Sequence, residues 1–233
     1  MLKVPVPVEV ELIAFDRLTP ADVAAGLAAL PADEQARGAR YQRLAERAAF
    51  VSCRLSVRRR LANLTGLAPV AVPLVRDEHG RPHCQLAGLP HFSISHSHGL
   101  AAIGWCQQVL GVDLELAEPP GSDDVGLAPL ILSAGEQARY LGLPAPERSA
   151  YLMRQFNAKE AVLKAMGCGM HVEPHRLQSE GLDYLSPAWG SAPAQRWQVH
   201  QQPLQEQWLL SVAVAAPAVV ELTFTGTPLR QSS

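Results

Sequence analysis

Apolar and polar positions alternate from Val4 to Glu11 (VPVPVEVE), and Leu12, Ile13 and Phe15 extend the run. A period of two marks a strand with one buried face. Its prolines, which lack the N–H that a ladder needs, predict a sheet edge. The period then lengthens. Thr19-Pro20 reads as a helix start, with Thr19 as cap and Pro20 in the first position. From about Glu34 to Leu64 the pattern is that of one long helix, ending before Gly66. Gly80-Arg81-Pro82 forms a turn. His91–His98 and Leu100–Cys106 read as two short strands around a polar loop, and Val109–Leu116 as another strand. A loop rich in Pro, Gly and Asp (Glu118–Gly126) precedes helices from Ser133 and from about Ser149 to Met166. Strand-like runs at Trp197–His200 and Trp208–Ala215 lead into a β-rich tail. Strands and helices recur on both sides of a divide near residues 107–112 without a repeat at the level of identity. This order predicts an α+β fold rather than a doubly wound sheet.

The last long helix carries the most informative stretch, FNAKEAVLKAMGCG at 156–169. At about 100° per residue, Leu152, Phe156, Leu163 and Met166 form one apolar stripe. Lys159 projects into the middle of that stripe, Glu160 onto its edge and Lys164 just beyond. The chain has only three lysines, Lys3, Lys159 and Lys164, against seventeen arginines, so an ammonium has been kept twice in one segment. Charges in such a position need partners. The simplest arrangement is an i,i+4 surface pair between Glu160 and Lys164, stabilising by a few tenths of a kcal/mol.

Composition narrows the functional classes. A chain of 233 residues with 48% apolar content and a net charge of −2 has ample material for a core and is no generic nucleic-acid binder. No basic-plus-apolar leader is visible and no apolar run is long enough to cross a membrane, which makes the cytoplasm the expected location. Cys53, Cys84, Cys106 and Cys168 form no C-x-x-C pair, which argues against a zinc ribbon, a redox pair or a disulfide framework.

Three further constellations carry chemistry. In a strand, Asp113 and Glu115 of GVDLE point the same way, and two carboxylates of this kind suit Mg²⁺; Glu160 is the candidate third. The outer face of the strand being simply polar is the alternative. On a helical wheel Arg40, Arg43, Arg47, Arg54 and Arg58 fall within roughly 60°, a cationic row suited to phosphate or to an acidic partner, or else a solvated flank. The segment FSISHSHG at 92–99 offers hydroxyls and imidazoles to phosphate oxygens. His91, His96 and His98 lack further ligands at zinc spacing. No G-x-S-x-G elbow, P-loop or G-x-G-x-x-G loop occurs.

Taken in order, G-R-P at 80–82, F-S-I-S-H-S at 92–97, G-V-D-L-E at 111–115 and the 156–169 segment, with the arginine-rich stretch before them, resemble the 4′-phosphopantetheinyl transferases. The similarity is to the larger surfactin-synthetase-activating (Sfp-like) type, and spans about residues 34–170. The resemblance implies a pseudo-dimer of two similar α+β halves, 1–110 and 111–233, with the active site in the cleft between them, and a monomer. It implies transfer of phosphopantetheine from coenzyme A to a serine of an apo carrier protein, releasing 3′,5′-ADP. Asp113, Glu115 and Glu160 would then hold Mg²⁺, Glu160 would take the serine proton, and Lys164 would contact the phosphates with Lys159 in support. His96 and Arg54 would meet the 3′-phosphate or pyrophosphate. Arg81 and Ser95 would meet the nucleotide, and Arg37, Arg40 and Arg47 would contribute phosphate contacts or meet the acidic carrier. The family usually has Trp where Phe156 stands and Ser or Thr where Asn157 stands, and some members place lysines near Glu34 and Arg37. Two competitors stay open: a catalytically silent carrier-binding module on the same fold, and an unrelated Mg²⁺-dependent phosphohydrolase.

Overall fold

The computed structural model describes residues 4–117, 124–205 and 207–226. Strand β1 (Val4–Ala14) is followed by helices α1 (Pro20–Ala28), α2 (Ala32–Gly38) and α3 (Leu44–Thr65), then by the small hairpin β2 (Leu74–Arg76) and β3 (Pro82–Cys84). Strands β4 (His91–Ser97), β5 (Leu100–Cys106) and β6 (Leu110–Leu116) come next, and then helices α4 (Asp124–Ile131), α5 (Ala134–Gly142) and α6 (Ala145–Met166). The chain continues through β7 (Gln178–Glu180), β8 (Asp183–Ser186), β9 (Gln195–Leu204), β10 (Trp208–Ala215) and β11 (Ala218–Gly226).

The fold is α+β, with two main sheets in the orders β11-β1-β5-β4 and β6-β10-β9-β8-β7. Alternation explains how they stack. Val6, Val8, Val10 and Leu12 of β1 share one apolar cluster with Leu110, Val112 and Leu114 of β6 and Leu210, Val212 and Val214 of β10. The first sheet turns its other face, including Ile103 and Trp105, toward Val51, Val57 and Leu61 of α3. The second sheet turns Tyr184, Trp197, Val199 and Ala213 toward α6. The layers therefore run helix, sheet, sheet, helix.

One order of elements occurs twice. β1 leads through helices to the 22-residue α3, which stops on left-handed Gly66, and β5 then returns antiparallel beside β1. β6 leads through helices to the 22-residue α6, which stops on left-handed Gly167, and β10 returns antiparallel beside β6. The last strand crosses this division: β11 pairs in parallel with β1, from Val4 opposite Ala218 to Leu12 opposite Gly226.

Three expectations are corrected. β1 is an inner strand, although its proline half keeps an edge-like character: Pro5 and Pro7 pair with β11 only, and β5 joins from Glu9 onward. The expected helix over Glu34–Leu64 is two helices, broken between Gly38 and Leu44. Gly38 packs so closely that a Cβ would lie 2.4 Å from Leu27 Cδ1, and Arg47 Nη2 donates to the carbonyl of Tyr41 that the break leaves free, at 2.7 Å. The strand expected at His91–His98 is β4, and the loop between it and β5 is confined to His98-Gly99, both at positive φ. Helix α4 begins inside the stretch read as loop, whose residues 118–123 lie outside those described.

The cysteines are free, and burial pushes the Cys53 thiol up to about 12 and that of Cys168 to about 11, as expected of plain interior residues. Among the described residues no helix is long and apolar enough to cross a membrane.

Arg60 binds Glu9 with both guanidinium ends, the longer contact at 2.7 Å, and this holds the Glu9 carboxyl below its ordinary value of 4.5. A lowered folded-state value stabilises fully above that ordinary value and is lost as pH falls through the lowered one. Glu9→Gln is therefore expected to be less stable than the parent at neutral pH, with the difference vanishing on acidification. Urea melts at neutral and acidic pH test this; a gap that stays constant with pH refutes it.

Candidate active site

The two main sheets meet where edge strand β4 runs beside edge strand β6, and three serines lace them together. Ser93, Ser95 and Ser97 share one face of β4 by period two, and all three are buried. Ser93 Oγ accepts from the Val112 N–H at 2.9 Å; Ser95 Oγ donates to Asp113 Oδ1, and Ser97 Oγ to Glu115 Oε2, each at 3.0 Å. The same alternation turns Gly111, Asp113 and Glu115 toward α6. At Gly111 a Cβ would sit 1.9 Å from the Ala161 carbonyl oxygen, so only glycine lets the helix lie this close to the strand.

That closeness brings the α6 side chains onto the carboxylates. Lys164 Nζ donates to Asp113 Oδ1 at 2.6 Å and to Ser95 Oγ at 2.9 Å. The ion-pair partner of Lys164 is thus the Asp113 carboxylate, not the Glu160 of a surface i,i+4 pair. Glu160 Oε1 is buried with no hydrogen-bond partner. Burial, then the charge of Asp113, push the Glu160 carboxyl above its usual range, while Lys164 opposes them. Burial and Asp113 raise Glu115 in the same way, against the hydroxyl of Ser97. Three carboxylates therefore share one poorly solvated neighbourhood with one ammonium. Among the described residues no three His, Cys, Asp or Glu side chains are already closed around a metal position. The donor set nonetheless fits a hard cation: all three groups supply oxygen, and Glu160 Oε1 is buried and unclaimed.

Lys159 does not join this group. It is fully buried on another side of α6, where Nζ donates to Glu136 Oε2 at 2.5 Å and to the Ile131 carbonyl at 2.8 Å. Its central place in the apolar stripe pointed to the interior rather than to the site. Asn157, which the sequence reading did not assign, does join: its Nδ2 donates to Asp113 Oδ2 at 2.8 Å. The signal was the spacing, since residues 157, 160 and 164 lie at i, i+3 and i+7 on one helix face.

The Gly80-Arg81-Pro82 turn forms the rim of a cleft of about 210 Å³, with Ser93, Ile94 and Lys164 on its walls. Arg81 reaches from the hairpin turn to α6 and β6 there, donating to the carbonyls of Ala165 at 3.3 Å and Leu110 at 3.2 Å. Ser95 sits behind the wall, held by Asp113 and Lys164. His96 points to the opposite face of β4, edge-on to Phe15 with centroids 6.2 Å apart; desolvation, then Lys164, push its pKa down.

The arginine row divides. Arg54 and Arg58 are buried and clamp Glu34, with Arg58 Nε 2.7 Å from Glu34 Oε2 and Arg54 Nε 3.6 Å from Glu34 Oε1. Arg54, expected on a phosphate, faces the interior because Glu34 of α2 packs across α3 at that point. Arg37 and Arg47 meet instead at Tyr41 beside the helix break, and Arg37 Nη1 and Arg47 Nε are buried without partners. Arg40 is exposed on the same break.

Clustered carboxylates beside an ammonium suit a reaction that develops charge on phosphate oxygens. Residues 109–216 match the 4′-phosphopantetheinyl transferase superfamily. The chain is 31% identical over 179 residues to the 4′-phosphopantetheinyl transferase HetI of Nostoc sp. (strain PCC 7120), covering 70% of this chain and 72% of that protein. It is 28% identical over 181 residues to a protein of Synechocystis sp. (strain PCC 6803), provisionally named as a 4′-phosphopantetheinyl transferase, covering 76% and 73%. The chain belongs to the 4′-phosphopantetheinyl transferase superfamily and is an enzyme of that class.

Proposed function

We propose that this enzyme is of the Sfp-like type, and that it moves the 4′-phosphopantetheinyl group of coenzyme A to a serine hydroxyl of an apo acyl or peptidyl carrier protein, releasing 3′,5′-ADP. The observation that carries the reading is the gathering of Asp113, Glu115, Glu160 and Lys164 where β4, β6 and α6 meet. Asp113, Glu115 and Glu160 would hold Mg²⁺, which when bound offsets charge on the pyrophosphate.

The chain's own residues do the rest. Glu160, directly or through a water, takes the proton from the carrier serine as its oxygen bonds to phosphorus and the bond to the nucleotide oxygen breaks. Glu160 Oε1, buried and without a hydrogen-bond partner, leaves an acceptor for that proton. Lys164, pinned by Ser95 and Asp113, presents a fixed positive charge to the phosphates without having to reorganise. Arg81, on the rim of the cleft, would meet the nucleotide, and Ser95 would act by holding Lys164. The unpaired N–H groups of Arg37 and Arg47, with exposed Arg40, suit a phosphate or an acidic carrier surface. The doubled order of elements supports a pseudo-dimer of halves 1–110 and 111–233, and the reading takes the enzyme to be a cytoplasmic monomer.

The test is to incubate the protein with coenzyme A, Mg²⁺ and apo carrier proteins and to weigh the carriers. A gain of one phosphopantetheinyl group, lost on chelation of the metal, is expected. No gain on any of several carriers points to a silent binding module, and phosphate release without a gain points to a phosphohydrolase.

A further inference from the structure

We propose that Asn157 is a positioning residue for the carboxylate centre: its side-chain amide sets the orientation of Asp113, and so the acceptor position that Asp113 offers to a divalent cation. The inference rests on the metal-binding reading of Asp113, Glu115 and Glu160 given above.

Asn157 is completely buried in α6. Its Nδ2 donates to Asp113 Oδ2 at 2.8 Å, and its Oδ1 accepts from Ser211 Oγ of β10. Ser211 Oγ in turn accepts from Gln201 Nε2 of β9 at 3.0 Å, and that nitrogen also donates to the Arg154 carbonyl of α6 at 2.9 Å. The chain of donors runs one way, from Gln201 through Ser211 and Asn157 to Asp113. A primary amide has donors at one end and an acceptor at the other. Turned over, Asn157 would set its oxygen against a carboxylate and lose the proton from Ser211. The network therefore fixes which end meets Asp113.

A carboxylate has about four acceptor positions. On Asp113, Oδ1 takes Ser95 and Lys164, and Oδ2 takes Asn157. The position left open is on Oδ2, and the amide decides where it points. Partners of this kind typically change metal affinity by about 10–100-fold when removed. A hydroxyl at position 157 would keep a donor but shorten its reach.

The probe is Mn²⁺, titrated into the purified full chain with coenzyme A present, free Mn²⁺ being read by electron paramagnetic resonance and folding by thermal melts. Asn157→Ala is expected to weaken Mn²⁺ binding by about 10–100-fold. Asn157→Thr should restore most of the affinity, and Ser211→Ala should lose less than Asn157→Ala. The double variant Asn157→Ala/Ser211→Ala should be no worse than Asn157→Ala, because Ser211 acts through the amide. Mn²⁺ binding as tight in Asn157→Ala as in the parent, whatever its melting temperature, overturns the inference, as do fully additive losses. If Asn157→Ala does not fold, Ser211→Ala decides: parental affinity there is equally fatal. A parent chain that binds no Mn²⁺ is a separate result, which removes the metal reading itself and this inference with it.

Discussion

Glu160→Gln is expected to reduce carrier modification by about 10²–10⁴-fold, the span that a positioned acid–base group contributes, while leaving the fold as stable as before or more so. The two halves of this expectation come from the same observation. Glu160 Oε1 is buried without a partner, and burial together with Asp113 makes its ionised form costly. Glutamine keeps the shape and removes the charge, so the crowding among three carboxylates is relieved and no hydrogen bond is lost at Oε1. It also removes the proton acceptor and weakens a cation ligand. Carrier mass gain followed over time, together with a thermal melt, checks both. A variant that keeps the parental rate would sink the role given to Glu160; one that loses rate only because it unfolds would sink the reading of its environment.

Lys159→Met is expected to act the other way, through stability. The parent pairs a fully buried ammonium with Glu136, itself buried, and also satisfies the Ile131 carbonyl. Removing one member of a buried pair leaves an uncompensated charge and typically costs about 3–5 kcal/mol. Lys159 ties α6 to the end of α4 and to α5, so the loss should fall on the packing of all three helices. Glu136→Gln added to Lys159→Met should recover much of it, since no charge is then stranded. Denaturant midpoints of the three variants provide the comparison. Full stability in Lys159→Met with a lost rate would return Lys159 to the reaction.

These two neighbours on one helix show what could be read from the sequence. Period two placed Asp113 and Glu115 on one face, and the motif around Glu160 and Lys164 pointed to the same centre. The first is local geometry, which sequence encodes directly; the second joins segments 51 residues apart and came from the family resemblance. Where partners lie in distant segments that no such motif covers, the reading failed. A helical wheel gives the side of α3 that Arg54 and Arg58 occupy, but not that Glu34 of α2 lies against it. It places Lys159 in an apolar stripe without revealing Glu136. The break after Gly38 was missed although a glycine inside a helical run weakens the case for one continuous helix. The prolines of β1 were sound indicators of a missing neighbour, but only over half the strand.

The pairing of β11 with β1 has a consequence for how the molecule is made. As the chain emerges in synthesis, Val4 must wait for Ala218, and until then β1 presents an unmatched row of peptide groups beyond what β5 can cover. Such rows invite association with other chains, and closing so distant a contact is slow. A gene cut at residue 110 would therefore not yield two working lobes; the first product would carry a sticky edge and the second a strand with no sheet to enter.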